Sequence, residues 1–165
     1  MANNYLQFSL LVPLMSKAEL RWVAKTLAAI TRLFDSPGEL DERSARALGP
    51  LGRRIIDEQW DYAEFQWSIE PTRDDAEGIG ALWMYAEEAG QPEHVAAVLE
   101  AFLKKFRPTG VITFSWAHTC GKLRPCEFGG GACVVTATGS QMLDTHSWAE
   151  DLAAKFVNAA PETSP

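Results

Sequence analysis

Cysteine and histidine are scarce in this chain, three of each among 165 residues, and their scarcity removes several classes of protein. Cys120, Cys126 and Cys133 are odd in number and fall within 14 residues of one another, unlike the even, dispersed cysteines of a secreted disulfide framework. A reducing compartment, the cytoplasm, is therefore expected. Long apolar runs are missing too. No stretch approaches the ~20 apolar residues that span a bilayer. The apolar start of the chain has no Lys or Arg ahead of it and is interrupted by Gln7, Ser9 and Pro13, so it does not read as an export signal. A basic stripe is the third absence. The cations are scattered and the net charge is −7, which argues against direct binding to nucleic-acid phosphates.

What is present suits one α+β domain over residues 1–160 with a disordered tail at 161–165. An apolar fraction of 47% and a charged fraction of 22% are those of an ordinary globular chain, long enough to bury one good core. Six tryptophans exceed what core filling requires and point to rings that face a partner. The charge is localised: Asp35 to Glu88 holds 14 acids against 5 arginines, a balance of −9, leaving +2 for the rest. Such asymmetry speaks of electrostatic partners rather than of fold.

Leu6, Phe8, Leu10 and Val12 alternate with Gln7 and Ser9, the period of a half-buried strand, which Pro13 is expected to end. Ser16 and Glu19 form a capping box. It opens a helix whose stripe is Leu20, Val23, Leu27, Ile30 and Phe34, closed by Asp35-Ser36-Pro37-Gly38. From Gly38 to Glu64 the pattern is poorly readable: a short helix around Leu40–Leu48, then a Gly-Pro-Leu-Gly turn. Phe65, Trp67 and Ile69, then Ile79–Ala86, alternate as a hairpin around the turn-rich 71–78. Pro92 starts a second helix at the position where its missing N–H costs nothing, with Val95, Val98, Leu99, Phe102 and Phe106 as its buried face. A second hairpin, 111–119 with 132–138, is followed by a short helix marked by Trp148, Leu152 and Phe156. The expected order is βαββαββα. That is a mostly antiparallel sheet with a ferredoxin-like, split βαβ core plus one strand and a C-terminal helix.

His118, Cys120, Cys126 and Cys133 are the one set from which a zinc site would be drawn, with Cys133 reaching across from the hairpin partner. Their spacing fits no paired-cysteine zinc pattern, so neither a metal nor another cofactor is expected. A cysteine nucleophile with His94, His118 or His146 as base, and the neighbouring acids Asp57-Glu58, Asp74-Asp75 and Glu87-Glu88, lack any spacing that implies catalysis. Gly129-Gly130-Gly131 after Lys122 and Arg124 run into a strand rather than a helix. They read as a turn or bulge, not a phosphate loop. Those five residues remain the best loop contacts for a ligand. The acid–aromatic stretch from Asp57 to Trp67 suits a surface that meets a basic partner.

The stretch Trp116-Ala117-His118-Thr119-Cys120-Gly121-Lys122-Leu123-Arg124-Pro125, followed by Glu127-Phe128-Gly129-Gly130-Gly131-Ala132, resembles small uncharacterised proteins of proteobacterial plasmids and phages, over a length from Asn4 to the last helix. The resemblance implies a mobile-element setting in a bacterial host. Small acidic proteins there often inhibit nucleic-acid-targeting defences, as anti-CRISPR proteins do, and it implies no catalytic residue. The expectation is a non-enzymatic acidic protein, monomeric or weakly dimeric. It would occupy the basic groove of a protein or ribonucleoprotein defence complex through Asp57, Glu58, Trp60, Asp61, Glu64, Asp74, Asp75 and Glu77. Two alternatives stand beside it: a protein-interaction module without nucleic-acid mimicry, and a small enzyme built on the Cys120–Gly131 connection. Mimicry requires acids on one contiguous face, an interaction module an exposed apolar patch, and an enzyme a pocket beside the connection.

Overall fold

The computed structural model describes residues 4–34, 40–71, 78–122 and 127–159. The elements are β1 (Asn4–Leu14), α1 (Lys17–Leu33), α2 (Glu42–Arg46), α3 (Pro50–Asp57), β2 (Gln66–Glu70), β3 (Gly80–Ala86), α4 (Pro92–Phe106), β4 (Val111–Cys120), β5 (Gly129–Thr136), β6 (Gly139–Asp144) and α5 (Thr145–Ala159). All six strands form one antiparallel sheet in the order β2-β3-β1-β4-β5-β6. Its first four strands carry the split βαβ order, so the α+β reading holds. The additions are larger than expected. The chain after β5 turns at Gly139 into a further strand, β6, and the poorly readable stretch forms two helices.

Those helices have local causes. Asp41 caps α2 by accepting from the amides of Arg43 and Ser44. Gly49-Pro50-Leu51-Gly52, expected as a turn, instead opens α3, with Pro50 in the first turn and Gly49 at φ 67°. Gly52 is required by packing, because a Cβ there would run into the Ala45 carbonyl of α2. α3 ends in a Schellman motif: Trp60 N–H donates to Ile55 O and Gln59 N–H to Ile56 O, with Gln59 at φ 53° where glycine is usual.

Pro13 does not end β1. It pairs opposite Ala81 of β3, and β1 meets β4 only from Asn4 to Phe8. The missing N–H therefore faces a side with no ladder partner, the condition under which a strand accepts proline. The Pro13 carbonyl on that side accepts from Arg107, whose guanidinium also grips Glu19 through Nε at 2.9 Å and Nη2 at 3.1 Å. Glu19, almost wholly buried, makes the capping box with Ser16 and also takes the Met15 amide. Burial works to raise its pKa, but the Arg107 hydrogen bond and the Met15 and Ser16 amides outweigh it and hold the carboxyl below its usual value. One ion pair thus joins the start of α1, the end of α4 and the end of β1.

α1 and α4 bury their stripes against one face of the sheet, and α3 packs on α4 and α2. The core joins Val23, Leu27 and Ile30 of α1 and Val98, Leu99 and Phe102 of α4 to Phe8, Leu10 and Val12 of β1. The opposite face, made by Gln7, Ser9 and Leu11 of β1 and the residues paired with them, is covered by no helix among the described residues.

Candidate functional site

The acid–aromatic segment lies where α3 hands over to β2. Asp57, Glu58 and Asp61 are exposed and Glu64 is half-buried. Trp60, expected on the partner-facing surface, is instead a core residue at 4% exposure. Its ring stacks on the His94 imidazole at 3.6 Å and its Nε1–H donates to Glu58 at 2.9 Å. Glu58 also takes Arg54, which reaches on to Glu100, so Glu58 is committed inside the fold. The reversal in spacing is physical: a helix that ends in a Schellman turn throws the second residue after its cap back onto its own face, and that residue is Trp60.

His94 binds this segment to the start of α4. Its Nδ1 accepts the Glu64 amide at 3.4 Å, and Gln91 N–H donates to Glu64 O at 3.0 Å. Burial pushes the imidazole pKa down to about 4, with Arg54 adding to the fall and Glu58 opposing it. The ring is neutral at physiological pH and serves as a stacking partner. Leu6 N–H donates to Glu88 O and the Gln7 side chain to Glu87 O, which fixes the exit of β3 beside the same place. Exposed Glu87 and Glu88 therefore join Asp57 and Asp61 at one end of the sheet, whereas exposed Glu93 is turned towards β4–β6, where it lines a cavity with Trp116, His118, Met142 and Asp144. Sequence reasoning treated Glu87-Glu88 only as paired acids; the hairpin pairing of β2 with β3, itself legible, was the signal that they share an end with the start of β2. Asp74, Asp75 and Glu77 belong to the connection at the other end of that hairpin and lie outside the described residues.

The glycine-rich connection approaches a different corner. Gly129, Gly130 and Gly131 are not a bulge or turn but the first residues of β5, in unbroken register with His118, Ala117 and Trp116. They are glycine because neighbours come close. A Cβ at Gly131 would strike the Trp116 ring and the Leu143 carbonyl, and one at Gly130 the Trp116 carbonyl. The Gly130 amide donates to Thr145 Oγ1 at 3.1 Å rather than outward to a ligand. Lys122 is exposed, and Arg124 and Cys126 lie outside the described residues.

A cavity of about 270 Å³ beside this corner is lined by Tyr5, His118, Glu127, Asp144 and His146, among others. His118 Nε2 is 4.0 Å from Asp144 Oδ2. Asp144 caps α5, accepting from the Ser147 and His146 amides, and these bonds hold its carboxyl below the usual value against slight burial. His146 Nε2 meets Phe128 O at 2.9 Å and the Cys120 thiol donates to Glu127. These groups serve mainly to pin the connection and the start of α5. Cys133 pairs opposite Phe114, four residues along the ladder from His118, about 13 Å at strand spacing. It cannot share an ion with that histidine. Burial raises the Cys133 thiol to about 11, which leaves it unreactive at neutral pH. Among the described residues no three His, Cys, Asp or Glu side chains converge as a metal site.

α5 is longer than the short helix expected, and its stripe is outward: Trp148 and Phe156 are both exposed. No helix among the described residues is long and apolar enough to cross a membrane. No family model matches the chain, and no curated protein or solved structure does.

Proposed function

We propose that the protein works by binding, as a non-enzymatic acidic inhibitor that occupies the basic nucleic-acid-binding surface of a host defence complex. The observation that carries this reading is the gathering of Asp57, Asp61, Glu87 and Glu88 at one end of the sheet, exposed, on segments held by the Glu64, Gln91 and His94 bonds and by those of Leu6 and Gln7 to Glu88 and Glu87. Fixed carboxylates on a stiff support meet a basic groove at little entropic cost. The resemblance to proteins of plasmids and phages supports the same setting, a cytoplasmic one. The corner at the glycine-rich connection supports catalysis less well, because its polar groups are engaged in holding α5 and β5 together.

The test is competition. Purified protein is titrated into the binding of target DNA by a reconstituted RNA-guided nuclease, at low and at high salt. Displacement of DNA is expected, weakening as salt screens charges beyond about 8 Å. The combined reversal Asp57→Lys, Asp61→Lys and Glu87→Lys is expected to abolish it with the fold intact. Glu58 is spared because its bonds to Arg54 and Trp60 would confuse binding with stability. Undiminished competition by the reversed protein at both salts refutes the reading.

A further inference from the structure

The helix-free face of the sheet has no role in that function. Its composition follows from the register. On β2-β3-β1 one row holds Ser68, Trp83 and Leu11 and the next Gln66, Tyr85 and Ser9; on β4-β5-β6 the rows are Thr113, Val134 and Gln141, then Ser115, Ala132 and Leu143, and between the two halves β1 and β4 are no longer paired at these rows. Leu11, Val134 and Leu143 are 58%, 44% and 45% exposed. Among the strand residues of this face only Glu70, on the edge strand β2, carries charge at neutral pH. A protein of net charge −7 with a broad uncharged face has an unusual surface there.

We propose that this face is the contact between two copies of the chain, packed sheet on sheet. Its size fits. Six strands about 4.8 Å apart where they pair, opening between β1 and β4 beyond Phe8, and four rows of side chains span at least roughly 30 Å by 20 Å, a flat footprint of about 600 Å², and corrugation brings the accessible area towards the ~800 Å² per partner of a stable interface. Its shape is self-complementary. A two-fold axis parallel to the strands, between β1 and β4, lays β3 of one copy over β5 of the other. That sets the bulky Trp83 and Tyr85 above the smaller Val134 and Ala132, and the exchange occurs twice, as an isologous contact demands. The aromatic pair is held in place beforehand: the rings stack at 4.3 Å, and Trp83 Nε1–H donates to Ser9 Oγ at 2.9 Å. Sheets whose strands run within about 30° of one another pack through such interdigitated rows.

Charge selects the occupant. A basic partner finds only Glu70, at the edge, to pair with on this face, and a nucleic acid that stacks on the aromatics finds no Lys or Arg there for its phosphates. A second copy meets an equally neutral surface. The same axis carries the acidic end, which sits on the β2–β3 side, to opposite flanks of the pair, so the −7 charges of two chains are kept apart and the acids stay open to another partner.

The experiment is sedimentation equilibrium from low to high micromolar concentration, at low and high salt. The expected result is a monomer–dimer equilibrium that salt leaves unchanged or tightens, the opposite of the acid-mediated binding proposed above. Val134→Lys and, independently, Leu11→Lys place a charge in the contact twice over. Each is expected to weaken the dimer by at least about tenfold, with circular dichroism unchanged because both side chains are surface-exposed in the single chain. A monomer at every concentration overturns the proposal, whether or not it binds a single-stranded oligonucleotide. So does a dimer that survives both substitutions, or one lost instead on Trp148→Lys, which would move the contact to α5.

Discussion

Acidification should expose the role of His94 before it touches any carboxylate. The unfolded imidazole takes a proton near 6.5, whereas the folded one, stacked on Trp60 and bonded to the Glu64 amide, resists until about 4. A histidine whose folded pKa is depressed contributes no penalty above 6.5. Below it the unfolded chain binds the proton and the folded chain does not, so stability falls steadily down to about 4. At 1.36 kcal/mol per pH unit, the step from about pH 7 to about pH 5 has a ceiling near 2 kcal/mol. The ring is only partly buried, so solvent screening reduces this to about 1 kcal/mol. The carboxyls of Glu19, Asp41 and Asp144 are held below their usual values and lose stability only at lower pH, which leaves the window to His94. Urea denaturation at the two pH values, on the natural protein and on His94→Asn, measures it. Asparagine keeps an acceptor near the Nδ1 position and does not titrate, so the variant should lack the extra loss. The His94 imidazole resonance, identified by its absence from His94→Asn, titrating near 6.5 by NMR, or an equal loss in both proteins, would refute the reasoning.

Gln59 sits in the left-handed region at φ 53°, so Gln59→Gly should stabilise by about 0.5–1 kcal/mol in thermal denaturation, since the Schellman turn favours glycine there. Arg107→Ala leaves Glu19 buried without its cation and the Pro13 carbonyl without its donor, and should cost about 2–3 kcal/mol. Arg107→Lys should recover less than half of that, because an ammonium cannot reproduce the fork.

Much of the fold was legible because its signals are local. The alternation of β1, the capping box at Ser16, Pro92 at the start of α4 and the two hairpins each follow from dihedral and hydrogen-bond preferences within a few residues, although β1 runs on through Pro13 to Leu14 and the return strand of the second hairpin begins at Gly129 rather than Ala132. β6 was missed because Gly139–Asp144 pairs apolar Met142 and Leu143 with polar neighbours and takes its strand character from β5. α3 was missed because Gly-Pro-Leu-Gly has the composition of a turn, and only the close approach of α2 explains Gly52. The candidate site was less legible still. Asp57 and Asp61 were found from charge alone, but Trp60 faces inward through the geometry of a helix end, and Glu87 and Glu88 join the acids only once β3 lies beside β2.

The amino-acid sequence by itself determined an α+β chain with a four-strand split βαβ core, an acidic middle third and no local pattern for catalysis, because strand period, helix caps and charge are properties of neighbouring residues. Tertiary structure alone decided which acids share an end of the sheet, that Glu58 is committed to Arg54 and Trp60, and that one sheet face carries no charge but Glu70 and is covered by no helix among the described residues. Those outcomes depend on register and packing between residues as far apart as Leu11 and Val134, and no short stretch of sequence carries that information.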